Sequence, residues 1–136
     1  MKNNNYPSWL VSLEIAKELK TIGFDTPCSF YYDEKLLKIS PWHDEEFIVT
    51  NWNDKLFRYC VSIPTWEQVF EWFREKGFVS FIKIDNQSIF DEGCYYCYVI
   101  SNERGKTIDC KSDFDDYNEA REALVKALTQ TYNMLN

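Results

Sequence analysis

The strongest constraint on how this chain can fold is a helix start near its middle. Thr65 and Gln68 have the Ser/Thr-x-x-Glu/Gln spacing of a capping box, in which each side chain hydrogen-bonds the other residue's backbone N–H. Apolar residues then follow the 3.6-residue helical period, and Gly77 can end the helix in a left-handed conformation. That apolar stripe consists of Trp66, Val69, Phe70 and Phe73. The pattern predicts a helix between Thr65 and Gly77.

The residues after this helix predict three strands and a last helix. Short β-prone segments lie at residues 79–84, 94–100 and 107–110, separated by turn-forming residues. Asp116 and Glu119 then have the spacing of an Asp variant of the capping box. The predicted buried stripe of the last helix is Ala120, Ala123, Leu124, Ala127, Leu128 and Thr131. Residues 64–136 therefore read as a helix, an antiparallel meander and a helix.

The residues before Thr65 give a less regular pattern. Ser12 as a cap and Gly23 as a stop predict a first helix over residues 13–22. Residues 28–32 and 36–39 predict a hairpin. Neither period persists over residues 40–63, where we expect an irregular surface connection with at most one edge strand.

The whole order, α-β-β-(irregular)-α-β-β-β-α, predicts an α+β fold with helices packed on an antiparallel sheet. We expect a single domain over residues 1–136, made of residues 1–63 and the α-β-β-β-α unit of residues 64–136.

The charge of the chain bears on its partners and location. Its formal net charge of -7 disfavours phosphate backbones and anionic membrane surfaces, so we expect neither nucleic acid nor a membrane as a partner. No apolar run approaches the roughly 20 residues that cross a bilayer. Residues 1–5 are polar and lack the layout of a secretion signal, so a cytoplasmic location is expected.

The cysteines and the one histidine do not form a recognisable reactive or metal site. Cys94 and Cys97 make a C-x-x-C, but they fall in a predicted strand, where positions three apart point to opposite faces. His43 is the only histidine. We therefore expect no metal and no cofactor. A Cys–His or carboxylate site assembled only by folding stays open as an alternative, and would make the chain an enzyme.

Acidic residues cluster before the last helix, where Asp113, Asp115, Asp116 and Glu119 could in principle form an acid–base or metal pair. Negative charge at a helix N-terminus interacts favourably with the helix dipole, which explains the cluster more simply. The chain has only four glycines, and they form neither a P-loop nor a dinucleotide fingerprint. The sequence therefore predicts no catalytic residue.

Trp9, Trp42 and Trp52 fall outside the helical stripes, and aromatic residues among polar ones are typical of protein interfaces. They are the candidate partner-binding residues. The alternative is that these rings pack over the sheet or under the irregular connection. Our leading hypothesis is a non-enzymatic protein that binds another protein.

The predicted order of residues 65–135 resembles the topology of double-stranded RNA-binding domains. That family grips phosphates with basic residues at the start of its second helix, where this chain has Asp113, Asp115 and Asp116. RNA binding does not carry over from the resemblance. A nucleic-acid-binding domain stays as an alternative disfavoured by the net charge of -7, and it would require Lys20, Lys35, Lys38, Arg58 and Arg74 on one face.

Four short motifs carry a second resemblance. They are Gly-Phe-Asp-x-Pro-Cys at 23–28, Asn-Trp-Asn at 51–53, Pro-Thr at 64–65 with Trp-Phe-Arg-Glu at 72–75, and Tyr-Asn-Glu-Ala at 117–120. The chain resembles small uncharacterised phage and prophage proteins of Bacteroides-like bacteria, and its second half is similar to the phage α/β/α sandwich domain. This resemblance implies a mobile-element origin and supplies no catalytic residue. The lack of a catalytic constellation, the acidity and the surplus of aromatic residues then favour a small phage-type accessory protein that binds a host or phage protein.

Overall fold

The computed structural model describes residues 6–41, 48–85 and 95–136. The described residues confirm the α+β class and divide into two compact units, Met1–Val69 and Phe70–Asn136. The elements, in chain order, are α1 (Leu13–Thr21), β1 (Phe30–Asp33), β2 (Lys38–Ser40), β3 (Cys60–Ile63), α2 (Trp66–Glu75), β4 (Val79–Asp85), β5 (Tyr95–Ser101), β6 (Thr107–Phe114) and α3 (Tyr117–Leu135). Within the described ranges they make two three-stranded antiparallel sheets.

Helix α1 begins and ends at the residues that the sequence predicts. The Ser12 side chain accepts a hydrogen bond from the Ile15 backbone N–H at 3.2 Å. At the other end Gly23 has a φ of 94°, and the backbone N–H of Phe24 donates to the Leu19 carbonyl at 3.0 Å. This is a glycine-terminated helix end that turns the chain sharply and places Phe24 in the core.

The sheet of the first unit has the order β2-β1-β3. The predicted hairpin is confirmed, although its second strand begins two residues later than expected and leaves Leu36 and Leu37 in the turn. Strand β3 is the edge strand expected within residues 40–63, and it pairs antiparallel with β1. Helix α1 packs against β3.

A loop holding the Asn-Trp-Asn motif is tied to the rest of the first unit. The Trp52 indole N–H donates to the Cys28 carbonyl at 2.9 Å, and its ring stacks on Tyr31 with the centroids 4.0 Å apart. The Asn53 amide donates to the Phe24 carbonyl and accepts from the Ser62 N–H, both at 2.9 Å. The connection predicted to be irregular is therefore an ordered part of the core in this region.

Helix α2 has the capping box that the sequence predicts. The Gln68 N–H donates to Thr65 Oγ1 at 3.1 Å, and the Thr65 N–H donates to Gln68 Oε1 at 2.9 Å. Gly77 has a φ of 95°, and the Phe78 N–H donates to the Phe73 carbonyl at 2.9 Å. This end repeats the geometry of Gly23 and Phe24 at the end of α1.

The sheet of the second unit has the order β4-β5-β6, and helix α3 contacts its central strand. Strand residues alternate between faces, so Tyr96, Tyr98 and Ile100 of β5 share a face. Tyr96 contacts the ring of Tyr117 in α3, with the centroids 5.9 Å apart, and Ile100 is fully buried. Helix α3 therefore lies on this face.

Most of the predicted stripe of α3 is confirmed. Ala120, Leu124, Ala127 and Leu128 are buried, whereas Ala123 and Thr131 are only partly covered. The buried set also includes Val125 and Thr129, which the prediction omitted. The Thr129 hydroxyl meets its hydrogen-bonding requirement by donating to the Val125 carbonyl at 2.9 Å.

The predicted capping role of Asp116 is wrong. Asp116 occupies the N-cap position of α3, but its side chain makes no capping hydrogen bond. Asp113 also differs from expectation, because it lies within β6 at a register shift and has a φ of 75°. Asp and Asn are the non-glycine residues that best tolerate this left-handed region, so Asp113 has a conformational role there.

We expect Leu124→Ala to lower the free energy of unfolding by about 2–5 kcal/mol, because the side chain of Leu124 is fully buried on the inner face of α3. The matched control is Met134→Ala on the same helix, where the side chain is 84% exposed and the expected change is less than about 0.5 kcal/mol. Urea unfolding measures both. A loss below about 1 kcal/mol at Leu124 would contradict the assigned face.

Asp113 in β6 and Asp116 at the N-cap of α3 should respond to substitution in the order opposite to that expected from capping. Asp113→Ala should cost about 1 kcal/mol because alanine is strained at positive φ, while Asp113→Gly should be nearly neutral. Asp116→Ala should cost less than about 0.5 kcal/mol because no capping bond is lost. Thermal or urea unfolding of the three variants decides the order, and a larger loss at Asp116 would refute it.

Candidate binding surfaces

The three tryptophans named as candidate partner-binding residues have different environments. Trp9 is 52% exposed and makes an edge contact with Phe30, with the ring centroids 5.4 Å apart. Trp52 is 8% exposed and, as described above, packs in the first unit. Trp42 lies outside the described residues. Of the two that are described, only Trp9 has a ring that a partner could contact.

The described cysteines, Cys28, Cys60, Cys97 and Cys110, are all free thiols, and Cys60 is partly buried. Cys28 is buried, and this burial raises the pKa of its thiol to about 12, which keeps it protonated and unreactive at neutral pH. Cys97 is also buried, in β5, and Cys110 is exposed. Cys94 and His43 lie outside the described residues. No group of three potential metal ligands occurs within the described ranges.

The most unusual surface of the first unit is a pair of loops, residues 33–38 and 54–59, which we call the paired loops. Their leucines are unusually open to solvent: Leu36, Leu37 and Leu56 are 62%, 74% and 83% exposed. Exposed apolar residues that cluster among polar ones are typical of interaction sites.

Hydrogen bonds from aspartate side chains hold both loops in shape. Asp33 Oδ1 accepts from the backbone N–H groups of Lys35 and Leu36, at 2.9 and 3.0 Å. Asp54 Oδ1 accepts from the Leu56 N–H at 2.9 Å. These are aspartate turns, in which the carboxylate replaces a backbone acceptor. The leucines are therefore presented by loops with a defined backbone.

The paired loops lie side by side. The Glu34 N–H donates to the Tyr59 carbonyl at 2.7 Å. Above the Tyr59 ring lie two cations, with Lys35 Nζ 5.2 Å and the Arg58 guanidinium carbon 6.0 Å from its centroid. Lys38 and Lys55 add two further exposed cations along the same segments. Against these four cations the same segments carry three carboxylates, Asp33, Glu34 and Asp54, so the paired loops have a net charge of +1 beside their leucines.

One of these leucines also has an unfavourable backbone conformation. Leu37 has a φ of 55°, in the left-handed region that costs an ordinary L-residue about 1–2 kcal/mol. Its side chain gains little from burial in return, because most of it faces solvent. Strained residues of this kind concentrate at functional sites.

Sequence reasoning missed this surface, although a signal was present. Residues 33–38 read Asp-Glu-Lys-Leu-Leu-Lys and residues 53–58 read Asn-Asp-Lys-Leu-Phe-Arg. Each segment has an acidic residue, a lysine, a leucine, a second apolar residue and a cation in the same order. The β-prone pattern of residues 36–39 predicts a strand, in which Leu36 and Leu37 would pair within a sheet and would not lie in an exposed loop.

No protein-family model, curated protein or solved structure matches the chain. None of the described helices is both long enough and apolar enough to cross a membrane.

Replacing Leu37 by asparagine should raise the free energy of unfolding by about 0.5–1 kcal/mol, because asparagine tolerates positive φ better and little buried area is lost. Leu36→Asn is the matched control, since Leu36 lies in the same turn and is not among the residues with positive φ. Urea unfolding should show no gain for it. A loss of stability in Leu37→Asn would refute the strain argument.

Proposed function

We propose that this chain is a non-enzymatic accessory protein that binds another protein through the paired loops. The observation that carries the proposal is the set of three exposed leucines held on two ordered, adjacent loops. The resemblance to phage and prophage proteins supports a mobile-element role inside a bacterial cell, with a host or phage protein as the partner.

Stability alone does not account for these leucines. An exposed leucine contributes little to folding, and at Leu37 the backbone conformation opposes it. A polar residue would serve the turn as well or better. Apolar side chains on a fixed backbone do suit binding, because little conformational freedom is lost when they enter a pocket.

The chemistry of the loops specifies the partner surface. Leu56 is the most exposed of the three leucines and needs an apolar pocket to bury it. Lys35 and Arg58 flank Tyr59 and favour carboxylates around that pocket. Asp33 and Asp54, the acidic residues that hold the turns, already accept backbone N–H groups. We therefore propose an acidic partner surface with an apolar pocket.

Affinity capture followed by binding measurements on the purified partner tests the proposal. The chain would be used as bait in lysates of a Bacteroides-like bacterium, with and without phage infection, and each captured protein would be purified. Leu56→Ser should weaken its binding at least about tenfold, as expected for a residue at the centre of an interface. Met134→Ser is the control, because 84% exposure at Met134 matches 83% at Leu56.

Two further variants separate binding from folding and from charge. Leu37→Asn should bind more weakly while being more stable, a combination that unfolding cannot produce. The double variant Lys35→Glu, Arg58→Glu should slow association and reduce its salt dependence.

The proposal is wrong if no protein is captured, or if Leu56→Ser retains every captured protein. It is also wrong if these substitutions leave protein binding intact but abolish binding to phosphatidylserine vesicles or to RNA. Those outcomes would make the paired loops a membrane or nucleic-acid surface.

A further inference from the structure

The second unit has an open groove of about 670 Å³ at one end of its sheet. Three segments form it: the end of α2 with the residues that follow, the turn between β5 and β6, and the last turn of α3. Its volume lies within the roughly 300–1,000 Å³ of small-molecule sites.

Two of these three segments, the turn between β5 and β6 and the residues after α2, have backbones fixed by hydrogen bonds. Asn102 Oδ1 accepts from the N–H groups of Arg104 and Lys106, at 2.9 and 3.0 Å. The Asn102 N–H donates to the Lys106 carbonyl at 2.9 Å, which closes the turn. Next to this turn, Gly77 follows α2 in the left-handed conformation described above. The groove therefore exists before any ligand binds.

The wall of the groove combines apolar surface with positive charge. Phe78, Ile108 and Leu135 supply the apolar part. Lys76, Arg104 and Lys106 supply three cations, and Glu103 supplies the one carboxylate in the lining, a local net charge of +2. The whole chain has a formal net charge of -7, so the groove is a positively charged region of an acidic protein.

The carboxylate of Glu103 lies close to the glycine that follows α2. A Cβ atom placed on Gly77 would lie 3.3 Å from Glu103 Oε1, tighter than an ordinary contact. The carboxylate therefore lies against the glycine backbone. Lys76 Nζ lies 4.9 Å from the centroid of the Trp72 ring, so the positive charge available in the groove rests on the turn cations, Arg104 and Lys106.

We propose that this groove binds a small organic acid, in which a carboxylate meets Arg104 and Lys106 and an apolar body contacts Ile108 and Leu135. The positive charge of the groove favours an anionic ligand over a neutral or cationic one. The apolar wall favours a ligand that also has an apolar part, which an inorganic ion lacks. The site is independent of the paired loops, since all of its lining residues belong to the second unit.

The test is an NMR titration of the full-length, 15N-labelled chain with three probes that share an eight-carbon body: octanoate, octylammonium and 1-octanol. Octanoate should shift the backbone signals of Gly77, Gly105 and Lys106 saturably, and bind at least about tenfold more tightly than the other two. The double variant Arg104→Glu, Lys106→Glu should weaken octanoate at least about tenfold. Lys111→Glu reverses one charge outside the groove, and it should change the affinity for octanoate less than about twofold.

Several outcomes would overturn the proposal. Equal affinity for octanoate and octylammonium would remove the role of the cations. Inorganic phosphate binding as tightly as octanoate would remove the role of the apolar wall. Tighter binding of the peptide acetyl-Asp-Glu-Leu-Asp-Glu-amide at the same residues would make the groove a protein-docking site. An absence of saturable shifts with octanoate would leave no site at all.

Discussion

The glycine-phenylalanine helix end is the local constraint on which much of this structure depends. It occurs twice, at Gly23-Phe24 and at Gly77-Phe78, with the same left-handed glycine and the same N–H bond back to the last turn. Each reverses the chain out of a helix and buries a large ring beside it. Each of the two candidate surfaces is connected to one of these helix ends. The Phe24 carbonyl receives the Asn53 amide that holds the loop leading to residues 54–59, and Gly77 forms one side of the groove.

Because the backbone is held in this way, exposure on these surfaces has a clear meaning. An apolar side chain on a mobile segment can turn back onto the protein, so its exposure says little about function. Leu36 and Leu56 extend from turns closed by the carboxylates of Asp33 and Asp54, which limits that freedom. The exposure of these leucines on an ordered backbone is therefore the observation on which the proposed protein-binding role rests.

The features that the sequence predicted are those encoded within a few neighbouring residues. Ser12, Thr65 with Gln68, and the glycine stops act through hydrogen bonds one turn away, so spacing alone identifies them. Asp116 is the exception, because it has the spacing of a capping residue but makes no capping hydrogen bond. The chain leaves β6 for α3 after Asp113, which has a positive φ that the spacing does not predict. Strand β3 and the burial of Trp52 depend on partners 20 or more residues away, Tyr31 and Cys28. Neither periodicity nor propensity carries that information.

The strong negative charge of the chain also shapes how its two candidate surfaces can work. At physiological ionic strength, charges more than about 8–10 Å apart are largely screened, so an approaching anion is repelled by the average charge only weakly and meets local groups at contact. Within that range the paired loops present Lys35 and Arg58, and the groove presents Arg104 and Lys106. Extended polyanions such as nucleic acids contact a large area and therefore meet the acidic background as well. A compact anionic target with an apolar part avoids that penalty, because it contacts only the local cations and the leucines or the groove wall beside them. The same acidity that opposes polyanion binding can thus make these small cationic surfaces selective.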